Sequence, residues 1–104
     1  MGYESDVCLR LSEEAESVIQ VARKMSKDLD SLLEGADKPN QGDYAWYCVK
    51  WYDHYPEINA LESLLSEMSE EDFGFIRVGE STNDIEFQGD PVGYDMYIRQ
   101  SVEW

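Results

Sequence analysis

The sequence predicts a single α+β domain spanning residues 1–104, with two helices packed on one face of a mixed, mostly antiparallel sheet in the order β-α-β-α-β-β-β. Three observations carry that expectation. Segments with two-residue alternation open the chain and recur in its second half, two stretches between them repeat apolar residues at three- and four-residue spacing, and breaks rich in Gly and Pro separate them. With 104 residues, 42% of them hydrophobic, the chain is long enough to bury roughly two thirds of its unfolded surface around one core.

Residues 3–11 alternate Tyr3, Ser5, Val7, Leu9 and Leu11 against Glu4, Asp6, Cys8 and Arg10, the pattern of a half-buried strand. Ser12 then offers an N-cap, and Glu13 and Glu14 suit the positive end of a helix dipole. Ala15, Val18, Ile19, Ala22, Met25, Leu29, Leu32 and Leu33 continue at helical spacing, so one helix of about six turns is expected before Gly35. Residues 35–43, GADKPNQGD, read as a loop.

The stretch 44–57, YAWYCVKWYDHYPE, concentrates six aromatic rings, one thiol and the only histidine. Both alternating rows of residues 44–52 are largely apolar or aromatic. Such a strand is expected at the centre of its sheet, or with helices on one face and a partner on the other. Pro56 suits the first turn of a second helix whose buried stripe is Ile58, Leu61, Leu64, Leu65 and Met68. Ser69 with Glu70, Glu71 and Asp72 suits one short further turn. Strands are expected at 73–78, 85–87 and 94–102, with turn-forming GESTND and QGDPVG between them suggesting an antiparallel meander.

Charge is the outlying property. There are 23 acidic residues against 8 Lys and Arg, a formal net charge of −15, with a pI near 4.1. Residues 1–52 hold 10 acids and 6 bases, whereas residues 53–104 hold 13 acids and 2 bases. Direct binding to nucleic acid is disfavoured, because that affinity comes from neutralising phosphates, and so is docking on an anionic membrane. A field of this sign attracts basic surfaces. Carboxylates placed at regular intervals would also imitate the phosphates of a duplex and occupy the basic groove of a DNA-binding enzyme. The candidate contact residues on that reading are Glu67, Glu70, Glu71, Asp72, Glu80, Asp84, Glu86 and Asp90. The alternative contact surface is the aromatic turn with Trp51, Tyr52 and Tyr55, the charge then serving solubility only.

No catalytic, cofactor or metal motif emerges. GxGxxG, GKS/T and HExxH are absent, so nucleotide-dependent and zinc-protease chemistry lack support. Cys8 and Cys48 have no metal-ligand spacing and are expected as buried free thiols. Along a strand, Cys48 and His54 would stand about 20 Å apart, too far for a nucleophile and its base. His54 is expected to cap or hydrogen-bond the turn, and a cleft joining it to two carboxylates would instead favour an enzyme. Asp28, Asp30 and Glu34 lack the glycine and terminal Glu of a calcium loop; Glu80, Asp84 and Glu86 are the better cluster, and no metal is assigned to either. No secretory leader or membrane span is expected, which points to the cytoplasm.

Three segments carry a resemblance: MGYESDV at the start, VKWYDHYPEINALESLL in the middle, and FGFIRVGESTNDIEF after it. Together they cover 39 of the 104 residues, and they resemble small proteins encoded by bacteriophages and prophages that share MGYxSxV, KWYxxYPE and FIRxGE segments. The resemblance implies no catalytic residues and no cofactor. It implies an acidic, non-enzymatic anti-defence protein, an inhibitor acting in the host cytoplasm on a basic bacterial protein such as a nucleic-acid-binding defence enzyme, and it leaves a homodimer open.

Overall fold

In the computed structural model, residues 4–80, 84–94 and 96 are described. Four strands, β1 (Ser5–Leu11), β2 (Asp43–Val49), β3 (Phe73–Val78) and β4 (Ile85–Gly89), form one sheet in the order β2-β1-β3-β4. Every pairing is antiparallel, so among the described residues the sheet is not mixed. Three helices complete the α+β architecture: α1 (Glu13–Met25), α2 (Lys27–Glu34) and α3 (Pro56–Ser66).

The alternation of β1 sends Val7, Leu9 and Leu11 to one face, where they meet Trp46, Tyr44, Phe73 and Phe75 of the neighbouring strands. Ala15 and Ile19 of α1, Leu29 and Leu33 of α2, and Ile58, Leu61 and Leu65 of α3 close over them in one core. Phe75, Leu9, Ile19, Leu33 and Leu61 are fully buried, each such side chain contributing about 1.5–3 kcal/mol.

The first helix is interrupted where the sequence suggests continuity. Ser26 lies in extended backbone, φ −136° and ψ 113°, and its hydroxyl accepts from the Leu29 N–H at 3.2 Å. It is the C-cap of α1 and the N-cap of α2 at once, because a serine can satisfy orphan N–H groups of a new helix better than it can continue an old one. Ser12 caps α1 in the same way through the Ala15 N–H at 3.1 Å.

Among the described residues the aromatic strand β2 stands at the sheet edge, met there by a single bridge from Asp37 to Ala45, while β1 and β3 are central. Its register with β1 shifts between Ser5 and Val7 because Cys48 bulges out with φ +55°. The bulge breaks the two-residue alternation, so Trp51 returns to the core beside Trp46 and Phe75, with ring centroids 5.1 and 6.1 Å away. The opposite face of the sheet carries no helix among the described residues: Tyr47 and Phe87 are 57% and 58% exposed there. Among the described residues it is covered near Gly74, where Met96 packs so closely that a Cβ on the glycine would lie 2.8 Å from its sulfur.

β3 and β4 form the expected hairpin. Gly89 ends it at φ +71°, where any side chain would drive a Cβ to 2.3 Å from the Phe73 carbonyl oxygen. Residues 92–94 form a 3-10 turn, so Tyr94 does not begin a strand; the rest of the expected final strand, apart from Met96, lies outside the described residues.

Candidate functional site

The carboxylates singled out by sequence divide between the two ends of the sheet. Glu67 closes α3, and the 3-10 turn Glu70–Asp72 feeds directly into β3. Asp90 follows β4, its N–H donating to the Phe73 carbonyl at 2.8 Å. Glu80 and Asp84 flank the far ends of β3 and β4, and six strand residues separate them from the first group by about 17 Å. The eight residues therefore do not make one face; an antiparallel hairpin necessarily sends its turn and its open end in opposite directions.

At the near end, five of those acids are joined by two that sequence reasoning did not select. Ser12 donates its backbone N–H to the Asp72 carbonyl at 2.9 Å and its hydroxyl to Asp72 Oδ1 at 3.4 Å. That junction sets the exposed first turn of α1, with Glu13 and Glu14, at the same end of the sheet as the Glu70–Asp72 turn, which Glu67 precedes and whose following residue, Phe73, accepts from Asp90. Asp90 also accepts from the Gly93 N–H at 3.1 Å, and the Tyr94 hydroxyl donates to the Glu71 carbonyl at 2.8 Å, so this end is held by its own turns. Among the described residues, none of the ion pairs reaches any of these seven acids. The first-turn position of Glu13 and Glu14 was legible in the sequence; their neighbours were not.

The far end differs. Arg77, on the helix-covered face of β3, donates Nε to Glu86 Oε1 at 3.0 Å, a second nitrogen to Asp84 Oδ1 at 2.8 Å, and a third to Asp84 Oδ2 at 3.3 Å and the buried Ser5 hydroxyl at 3.1 Å. Bonds to both carboxylates raise its already high pKa further. Asp84 and Glu86 thus hold an internal cation and are poor candidates for an external one. Glu80 accepts from the Glu4 backbone N–H. Arg23 similarly grips Asp30 at 2.7 Å and Glu34 at 2.5 Å, pairing two of the three acids of the calcium-like stretch. No group of three or more His, Cys, Asp or Glu side chains is arranged to hold a metal among the described residues.

Of the aromatic candidates, Trp51 is 6% exposed and donates its indole N–H to Glu62 Oε2 at 3.1 Å, which removes it from any contact surface. Burial, reinforced by the nearby Asp53 and Glu86 charges, pushes the Glu62 carboxyl up against the pull of that bond. Tyr52 and His54 stack with planes 7° apart and centroids 5.7 Å apart, and Tyr55 meets both edge-on at 5.2 and 4.9 Å. Tyr52 and Tyr55 are half-buried and His54 is exposed. His54 engages these rings rather than capping α3, whose N-cap is Tyr55.

A cleft of 410 Å³ joins Trp51, Tyr52, Asp53 and His54 to Arg77, Asp84 and Glu86. It does place the histidine near carboxylates. Two of the three acids on its wall are spent on Arg77, however, and no hydrogen bond between His54 and a carboxylate is found among the described residues to orient the imidazole as a base.

The thiols are not both buried. Cys48 is exposed on its bulge, its N–H held by Asp6 Oδ1 at 2.9 Å, while Cys8 is half-buried on the uncovered face. Burial, then the Asp6 charge, pushes the Cys8 thiol up, against the opposing pull of Arg10, so it is the less reactive of the two. The described helices include none long and apolar enough to cross a membrane. The chain matches no protein-family model, no curated protein and no solved structure.

Proposed function

We propose that the protein is a non-catalytic acidic accessory protein of a bacteriophage that binds and inhibits a basic, nucleic-acid-binding host protein, such as a defence enzyme, in the bacterial cytoplasm. The observation that supports this reading is the acidic near end of the sheet. Glu13, Glu14, Glu67, Glu70, Glu71, Asp72 and Asp90 come together from three parts of the chain, and no ion pair among the described residues reaches them. Like charges brought together oppose the compact state, and a cationic partner relieves that repulsion. The contact residues are accordingly changed: Glu80, Asp84 and Glu86, at the far end, leave the set and Glu13 and Glu14 enter it.

The test is capture of host proteins on the immobilised chain at about 0.05 M and about 0.3 M salt, with duplex DNA as competitor. The expected partner is nucleic-acid-binding, is released by the higher salt and by DNA, and is not retained by the Glu67→Lys, Glu70→Lys, Glu71→Lys variant. A partner held equally by that variant and at both salts removes the reading.

The stacked Tyr52, His54 and Tyr55 favour a second reading, an interaction module that binds through this turn with the charge serving solubility. Tyr52→Ala would then cost more binding than the triple charge reversal, since aromatic anchors carry most interface energy.

A further inference from the structure

We propose that α1 is a self-association surface, through which two copies of the chain pair antiparallel along the exposed row of Val18, Val21 and Met25. This goes beyond the reading of a basic host partner and does not rest on it. The helix is apolar on two sides. Ala15 and Ile19 enter the core, whereas Val18, Val21 and Met25 remain 48%, 60% and 84% exposed. With Glu14 they fall at steps of four, three and four residues, so the four side chains form one row about 16 Å long. That is the spacing at which one helix presents a seam to another. Single exposed apolar residues are ordinary on a surface, but a contiguous row marks a contact.

The charges along the row choose its occupant. Elsewhere on α1, Glu16 accepts from the Tyr44 hydroxyl at 2.9 Å, and Arg23 donates to Asp30 and Glu34. The charges beside the row are placed differently. Exposed Glu13 and Glu14 stand at its start, exposed Lys24 and Lys27 stand at its end and outnumber Asp28 there, and none of these four takes part in an ion pair among the described residues. A face acidic at one end, apolar in the middle and basic at the other is complementary to its own copy turned end for end. A two-fold axis crossing α1 between Val18 and Val21 sets Val18 of each copy against Val21 of the other, and brings each Glu14 to Met25 and Lys24 of its counterpart. Parallel pairing would set Glu14 against Glu14. A basic partner would meet the lysines, and an uncharged one would leave both ends unpaired.

The experiment is sedimentation equilibrium of the full chain from about 10 μM to about 1 mM, in about 0.15 M salt so that the like net charges of two copies are screened beyond about 8 Å. One helix per copy is a small contact, so a monomer–dimer equilibrium with Kd on the order of 100 μM is expected. Val21→Glu should weaken it at least about tenfold, while Phe87→Glu, on the open sheet face, should leave it unchanged. Glu14→Lys and Lys24→Glu should each weaken it about threefold or more, and the double variant, which keeps the parent's net charge, should return to within about twofold of the parent. Circular dichroism checks that each variant is folded. A chain monomeric at every concentration, a dimer kept in Val21→Glu but lost in Phe87→Glu, or a double variant no better than either single one overturns the proposal. The Glu67→Lys, Glu70→Lys, Glu71→Lys variant should lose the host partner yet dimerise as the parent does, so the two readings succeed or fail separately.

Discussion

Replacing Arg77 with methionine isolates the central polar element of the fold. The side chain is 16% exposed and binds Asp84, Glu86 and the buried Ser5 hydroxyl, so Arg77→Met takes the cation from two carboxylates and one donor from the hydroxyl, while Glu86 keeps its bond from Gln88. Stripping one partner from a fully buried ion pair costs about 3–5 kcal/mol. Asp84 and Glu86 are 33% and 38% exposed, so water screens part of that cost and about 2–3 kcal/mol is expected. For a domain of this size that lowers Tm by roughly 8–20 °C and the urea midpoint by about 1–2 M. Urea unfolding followed by tryptophan emission reads it directly, because Trp51 lines the same cleft. The triple variant Arg77→Met, Asp84→Asn, Glu86→Gln should recover more than half of the loss, since the stranded charges and not the lost contacts carry most of it. A single variant within about 0.5 kcal/mol of the parent, or a triple variant no better than the single, would refute this account.

Three further outcomes follow from named positions. Cys48→Gly should stabilise by about 0.5 kcal/mol and Cys48→Val should destabilise by about 1 kcal/mol or more, because φ +55° penalises a β-branched residue and suits glycine; the order of the two urea midpoints checks it. Under limiting iodoacetamide at neutral pH, Cys48 should alkylate well before Cys8, seen by peptide mass spectrometry, since Cys8 is half-buried with its thiol pushed up. The Tyr44 phenol is pushed up to about 12 by burial and by its bond to Glu16 at 2.9 Å. Below pH 10 it is neutral in both folded and unfolded chains, so its contribution is intact there and is lost as pH rises from about 10 through 12; urea midpoints should fall across that window and fall less in Tyr44→Phe.

The α+β class, the capping of α1 by Ser12, the start of α3 at Pro56 and β3 at Phe73–Val78 were all legible in the sequence, because local periodicity and cap chemistry specify them within a few residues. The split at Ser26 was less so, since the apolar stripe runs through it and only one serine's preference for a cap interrupts the backbone. The two apolar rows of residues 44–52 argued for a central strand, or for one with helices on one face and a partner on the other. The bulge at Cys48 and an open sheet face account for them differently: Tyr44 and Trp46 face the helices, Tyr47 faces outward, and Trp51 comes back to the core.

Composition alone determined that this chain carries a strong negative field and that a cation is its natural counterpart. Which carboxylates offer that charge was decided only by tertiary structure. Residues near each other in sequence, Glu80 to Asp90, are separated when a hairpin turns, while Ser12 and Asp72, far apart in sequence, meet where α1 starts beside β3 and so bring Glu13 to that end. The physical reason is that pairing register and strand order depend on contacts between separate segments: the β3–β4 pairing gives Arg77 to Asp84 and Glu86, while at the opposite end the ion pair among the described residues joins Arg10 to Asp43 and does not include Glu13, Glu14, Glu67, Glu70, Glu71, Asp72 or Asp90.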